Sequence, residues 1–196
     1  MIQGLNERLF WMINSHFSLA GDVVMEAFTL TGSTISAILI ATLALYLYRE
    51  LTARNLLLLA ITLAVGGLIV HGIKENCVAD RPLAHFAEKP APDGLAVHAP
   101  FERHSHRTFP SGHSQTAFSV AVFIVMVFRK HAAPWLAWAA MVAVSRVYLG
   151  VHFPLDIVAG MAVGSAVSAL TVVLADKWSP ARVAADAINA GVKKEL

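Results

Sequence analysis

The sequence predicts an all-α fold: a polytopic membrane helical bundle with five or six transmembrane helices and an N-terminal interfacial helix. Three observations predict it. Of the 196 residues, 57% are hydrophobic and 14% charged, whereas a soluble domain carries about 25% charged residues. Five apolar runs approach or reach the roughly 20 residues that cross a hydrocarbon core. Charged and turn-forming residues gather at the ends of those runs. A single domain is expected over 1–196. It comprises interfacial or half-buried helices over 1–31, an outer loop over 74–110 and a cytoplasmic tail over 177–196.

Leu5, Leu9, Phe10, Met12 and Ile13 share much of one helical face, interrupted by Asn6, Glu7 and Arg8. That pattern suits a helix lying in the interface. Residues 19–30 are apolar apart from Asp22 and Glu26, four apart on one face. They form either a helix half-buried against the bundle or an extension of the first span through Gly32. Spans are predicted over 32–48, 54–73, 113–128, 133–149 and 155–175. The third is short, so its polar start at 112–116 must face a wet protein cavity at the membrane edge. Pro90, Pro92, Gly94 and Pro100 argue against regular structure in the outer loop. Gly160, Gly164 and Ser168 recur at four-residue spacing, the mark of a close helix–helix contact, within the bundle or between copies.

Charge places the loops. Arg49 and Arg54, then Arg129 and Lys130, then Lys177, Arg182, Lys193 and Lys194 fall on one side, read as cytoplasmic. The loop 74–110 and the turn 146–154 then face outward, with Lys74, Arg81, Lys89, Arg103, Arg107 and Arg146. A net charge of +2 and the lack of a basic, aromatic-interleaved stripe exclude a nucleic-acid partner. Cys77 is the one cysteine, so no intramolecular disulfide forms. Residues 1–17 lack the basic start and unbroken apolar core of a cleavable signal peptide.

Three short segments at the predicted outer face carry the chemistry. In the last, Pro154 suits a helix start, which puts Asp156 in the first turn, where the helix dipole favours a carboxylate. Asp156 also lies four residues after His152, so it can accept a proton from one ring nitrogen and leave the other as nucleophile or base. Arg146 ends the preceding span at the same face, as a phosphate ligand or a snorkelling cation. In the second segment, Ser111-Gly112-His113 follows Pro110 and opens an apolar helix, whose free N–H groups suit an anion. Gly112 permits close backbone approach. Ser111 caps the helix or donates to a phosphate oxygen, and His113 stands where a general acid would serve the leaving oxygen. In the first segment, Lys74 and Arg81 precede Pro82, which bends the chain and brings both cations to one site. Separate cations, two imidazoles and a helix N-terminus are what phosphoryl transfer requires.

The pattern Lys-x6-Arg-Pro, Pro-Ser-Gly-His, Ser-Arg-x5-His-x3-Asp resembles the signature of the phosphatidic acid phosphatase type 2 superfamily. The resemblance implies that His152 is a nucleophile forming a phosphohistidine, that Asp156 orients it and that His113 protonates the leaving group and then activates water. It also implies a phosphate cradle of Lys74, Arg81, Ser111, Gly112 and Arg146, with no metal and no cofactor. The run Leu5-Asn6-x2-Leu9-Phe10-x2-Ile13-Asn14, with 145–156, is similar to the bacitracin-resistance type of undecaprenyl diphosphate phosphatase. That resemblance implies hydrolysis of a lipid diphosphate at the outer face of a bacterial inner membrane, with the lipid bilayer as the other partner. The same pocket suits phosphatidylglycerol phosphate, phosphatidate, diacylglycerol diphosphate or a lipid A phosphate, or transfer to another lipid. A vanadate haloperoxidase and a non-enzymatic carrier are the remaining alternatives; a carrier would place polar groups near mid-membrane, where these spans are apolar. His85, His98, His104 and His106 lie outside the signature and suit headgroup recognition, a pH-sensitive lid, adventitious metal binding or simple solvation.

Overall fold

Proline, glycine and short polar residues punctuate the apolar runs, and the helices start and stop at them. The computed structural model describes residues 2–89, 91–102, 106–129 and 131–178. Expectations for Pro90, Arg103, His104, Lys130 and the tail beyond residue 178, with Arg182, Lys193 and Lys194, lie outside the described residues.

Among the described residues eight α-helices follow in order: α1 Ile2–Asn14, α2 Leu19–Thr31, α3 Thr34–Leu47, α4 Ala53–Asn76, α5 Pro82–Glu88, α6 Gly112–Phe128, α7 Ala132–Tyr148 and α8 Pro154–Lys177. Ser18, Ser33, Thr52 and Ser111 cap α2, α3, α4 and α6 through side-chain oxygens, each such cap stabilising its helix by about 1 kcal/mol. Pro82 and Pro154 open α5 and α8, positions where the missing N–H costs nothing. The outer loop is more ordered than its prolines suggest. Pro82 and Pro92 sit at the starts of α5 and of a 3₁₀ turn, Pro92–Gly94, so these prolines initiate local structure there.

α4 and α8, of 24 residues each, are long and apolar enough to cross a membrane; each reaches about 36 Å at 1.5 Å per residue. α2 and α3 meet at 73° and qualify together as a third, broken crossing. Residues 19–30 therefore continue into the first span only through a bend: Gly32 and the cap at Ser33 end one helix and begin another. α6 and α7, 17 residues each, sit at the lower end of spanning length.

α6 is the central helix, packed against α3, α4, α7 and α8. Ala117, Val120, Ala121, Phe123 and Ile124 are fully buried. Its contact with α8 is very close. A Cβ at Gly160 would meet the Ser111 carbonyl, and one at Gly164 the Gln115 carbonyl. One turn on, Ser168 donates to the Ser119 carbonyl at 2.9 Å. The small-residue stripe therefore packs inside the bundle and locks the start of α8 against the start of α6.

α1 has two apolar aspects. Phe10 and Trp11 face the core, while Ile2, Leu5, Leu9 and Met12 remain exposed. The exposed set repeats at helical spacing, as an interfacial helix requires. Arg49, Arg54 and Arg129 mark the end of the bundle opposite the motif segments, where Arg54 pairs with Asp176 at 2.7 Å.

Candidate active site

The α6–α8 contact sets the centre of the site. With Gly160 against Ser111, the Ser111 N–H donates to the Asp156 carbonyl at 2.9 Å, so the second and third motif segments touch through backbone. Asp156 lies in the first turn of α8 and accepts the Phe153 N–H at 2.8 Å. The carboxylate caps α8, and its Oδ2 also lies 3.3 Å from Nδ1 of His152. His152, Asp156, Ser111 and Arg146 are all nearly inaccessible to solvent.

Thr108 was not singled out from the sequence, yet it completes this group. Its hydroxyl donates a short hydrogen bond to Asp156 Oδ2 and lies 3.0 Å from His152 Nδ1. A hydroxyl has one proton. Spent on Asp156, it leaves an oxygen lone pair for His152, so Nδ1 carries the ring hydrogen and donates. The Nε2 lone pair is thereby left for chemistry. Burial lowers the His152 pKa from its ordinary value to about 4; the Asp156 hydrogen bond and charge oppose the shift, and Arg146 and Arg81 add to it. The imidazole is neutral at physiological pH.

The cations arrive from three directions. Lys74, near the end of α4, donates to the Arg107 carbonyl at 2.8 Å. Arg107 has φ 59°, a left-handed conformation uncommon for a side chain of this size. Asp80 and His106 form an isolated antiparallel bridge, and the Thr108 N–H donates to the Ala79 carbonyl at 3.1 Å. This short pairing fixes Arg81, whose Nε donates to the His106 carbonyl at 3.2 Å, and places Thr108 beside Asp156. α4 ends at Asn76, well before Arg81, so the bend expected ahead of Pro82 is present. Burial and the charge of Arg146 push Arg81 below its ordinary pKa, as expected where cations crowd.

Arg146 projects from the last turn of α7 and is 2% exposed. Glu102, also missed from the sequence, grips its guanidinium through two bonds of 2.8 and 3.0 Å. Burial opposes ionisation of Glu102, but the Arg146 hydrogen bonds and charge, with His113 and Arg81 adding, hold its carboxyl below the usual range. Thr29 of α2 lies 3.4 Å from the same guanidinium, and Glu26, one turn earlier, is within electrostatic reach of Arg146 and Glu102. Two buried donors of the site, Arg81 Nη1 and Arg146 Nε, have no hydrogen-bond partner among the described residues. His113 senses Arg146, Glu102, His152 and Arg81 electrostatically, and its ring lies beside Gly32.

Lys74, Arg81, Ser111, Gly112, His113, Arg146, His152 and Asp156 thus converge at one end of the bundle. Ser111 spends its side-chain oxygen on Ser114, at 3.0 Å to the hydroxyl and 3.4 Å to the N–H, which satisfies the capping reading. Of the loop histidines, His85 pairs with Glu7 at 3.0 Å, His98 with Asp22 at 2.7 Å and His106 with Asp80 at 2.7 Å. His85 and His98 tie the outer loop to α1 and α2, so neither is a merely solvated side chain. No group of three His, Cys, Asp or Glu side chains able to hold a metal ion occurs among the described residues.

Residues 55–180 match the family model for the PAP2 superfamily. The chain belongs to the PAP2 superfamily. A Rhizobium johnstonii lipid A 1-phosphatase is 32% identical over 114 residues, covering 58% of this chain and 45% of that protein. An Escherichia coli (strain K12) protein, provisionally assigned as an undecaprenyl-diphosphatase, is 30% identical over 167 residues, covering 84% of this chain and 79% of that protein. Among solved structures, Aquifex aeolicus LpxE superposes with a TM-score of 0.71 at 25% identity, over 86% of this chain and 94% of that one. The chain spans less than half the length of the curated relatives first matched. The superfamily and the all-helical membrane architecture therefore agree with the sequence expectation.

Proposed function

We propose that this chain is a membrane lipid phosphatase that hydrolyses undecaprenyl diphosphate to undecaprenyl phosphate and inorganic phosphate. One observation carries the phosphatase reading: a buried, hydrogen-bonded imidazole, His152, held with Lys74, Arg81 and Arg146 at one end of the bundle. Nε2 of His152 attacks the terminal phosphorus. The bond from that phosphorus to the bridging oxygen breaks as His113, held as imidazolium by the negative charge of the headgroup beside it, gives the oxygen a proton. The three cations and the unpartnered donors of Arg81 and Arg146 stabilise the equatorial charge. His113, now deprotonated, takes a proton from water as the water oxygen attacks the phosphohistidine. Phosphate departs, and His152 regains its lone pair.

The diphosphate assignment rests on coverage: the provisional undecaprenyl-diphosphatase of Escherichia coli matches most of both chains. The lipid A 1-phosphatase match covers little more than half of this one. A hydrocarbon tail remains in the bilayer while the headgroup enters a site at the helix ends. With the basic residues Arg49, Arg54 and Arg129 at the opposite end, the site faces the periplasmic side of a bacterial inner membrane.

The test is phosphate release by the purified full chain in detergent, with and without EDTA. The panel comprises undecaprenyl diphosphate, phosphatidylglycerol phosphate, phosphatidate and a lipid A 1-phosphate. Fastest turnover of the diphosphate, undiminished by EDTA, is expected. Preference for the lipid A phosphate would move the assignment to a sugar-linked phosphate. Full turnover by His152→Ala would refute the nucleophile.

A further inference from the structure

The Arg146 fork, a planar anion receptor at the site, is already filled. Glu102 binds both terminal nitrogens in the bidentate geometry that a phosphate would use. Glu102 lies in the outer loop and keeps about a third of its side chain exposed, whereas Arg146 is buried. The carboxylate can therefore leave toward solvent and the guanidinium cannot follow. A bilayer presents this site with a large excess of phosphodiester headgroups, each with one negative charge. An empty cluster of three cations would collect them.

We propose that Glu102 is a specificity residue: a tethered carboxylate that holds the Arg146 fork against phosphodiester lipids and yields it to a terminal phosphate. The inference rests on the phosphatase reading above. A singly charged phosphodiester gains no more from Arg146 than the carboxylate it would replace, and the carboxylate has the advantage of being on the same chain. A terminal phosphate carries up to two charges on one phosphorus, and its attraction to Lys74, Arg81 and Arg146 scales with that charge. It also supplies oxygens for Arg146 Nε and Arg81 Nη1, donors without partners among the described residues. Glu26 lies within electrostatic reach of the same guanidinium and remains when Glu102 swings out, so a second carboxylate stays near Arg146 during exchange.

Two measurements on the purified full chain in detergent test this. The first is the shift in melting temperature with inorganic phosphate or with dimethyl phosphate, a singly charged diester. Wild type should be protected by phosphate alone; Glu102→Gln and Glu102→Ala should be protected by both. The second is KM for a terminal-phosphate lipid in micelles with and without phosphatidylglycerol. Phosphatidylglycerol should leave the wild-type KM unchanged and raise that of Glu102→Gln by about tenfold, the scale of a lost intramolecular advantage. Protection of wild type by dimethyl phosphate, protection by neither ligand, or a wild-type KM that rises with phosphatidylglycerol would each overturn the proposal. Equal loss of turnover by the variants with and without phosphatidylglycerol would also overturn it, since Glu102 would then merely hold Arg146 in place. If wild type released no phosphate from any lipid, the phosphatase reading would fail, while the melting comparison would still report on Glu102.

Discussion

Thr108→Val removes one hydroxyl at nearly constant volume, and that hydroxyl makes two buried contacts. It donates to Asp156 and receives the Nδ1 hydrogen of His152. After substitution, Asp156 Oδ2 keeps the Phe153 N–H at 2.8 Å and the longer His152 contact at 3.3 Å. His152 is then oriented by that long contact alone. A hydrogen bond to a charged group contributes about 1.5–3 kcal/mol. If that orientation is needed in the transition state, the loss corresponds to roughly one to two decades of rate at 1.36 kcal/mol per decade. The assay is phosphate release by the detergent-purified full chain, with Thr108→Ser as the partner variant and melting temperature measured for each. Thr108→Ser should keep most of the wild-type kcat, and Thr108→Val should lose about 10- to 100-fold. Near-wild-type turnover by Thr108→Val, or equal defects in the two variants, would remove Thr108 from the catalytic group.

Three further outcomes follow from the same geometry. His152 has its pKa lowered to about 4 in the α7–α8 connection, so kcat/KM should hold through mildly acidic pH and fall as pH drops toward 4, where the nucleophile protonates; a pH–rate profile checks this. In the unfolded chain His152 titrates near about 6.5, so the unfolded state binds the extra proton between these values, and the melting temperature should decline as pH falls from about 6.5 to 4, less so in His152→Gln. Gly160→Ala drives a methyl into the Ser111 carbonyl; overpacking of this kind costs about 1–3 kcal/mol, lowers the melting temperature and should reduce kcat as well, because the same contact seats Asp156. Arg81→Lys keeps the charge but loses the fork and the Nε bond to His106, and should reduce kcat/KM by at least tenfold at about 1.4 kcal/mol per lost bond.

The helices and the motif set were readable from the chain for local reasons. Apolar runs bounded by Pro154, Gly112 or Thr52 yield helices whose ends differ from expectation by a few residues. Asp156 and His152 are four apart and joined by a helix start, so their contact needs no distant partner. The bend between α2 and α3 was harder to see, because Gly32-Ser33 interrupts a stretch that is apolar on both sides. The ordering of the outer loop was missed because prolines at helix starts and prolines in irregular loops look alike in sequence.

Thr108 and Glu102 mark the boundary. Each stands in a stretch without periodicity, and each meets its partner 44 residues away in sequence. From the residues in order came the membrane helices, the face on which the charges gather and the superfamily signature, because helix periodicity, caps and nearest-neighbour spacing operate within a few residues. The orientation of His152 by a threonine and the filling of the Arg146 fork by a glutamate arise from how α6, α7 and α8 pack against the outer loop. Such contacts depend on the close approach at Gly160 and Gly164 and on the short pairing of Asp80 with His106. No local pattern encodes which side chain of an irregular loop will arrive there.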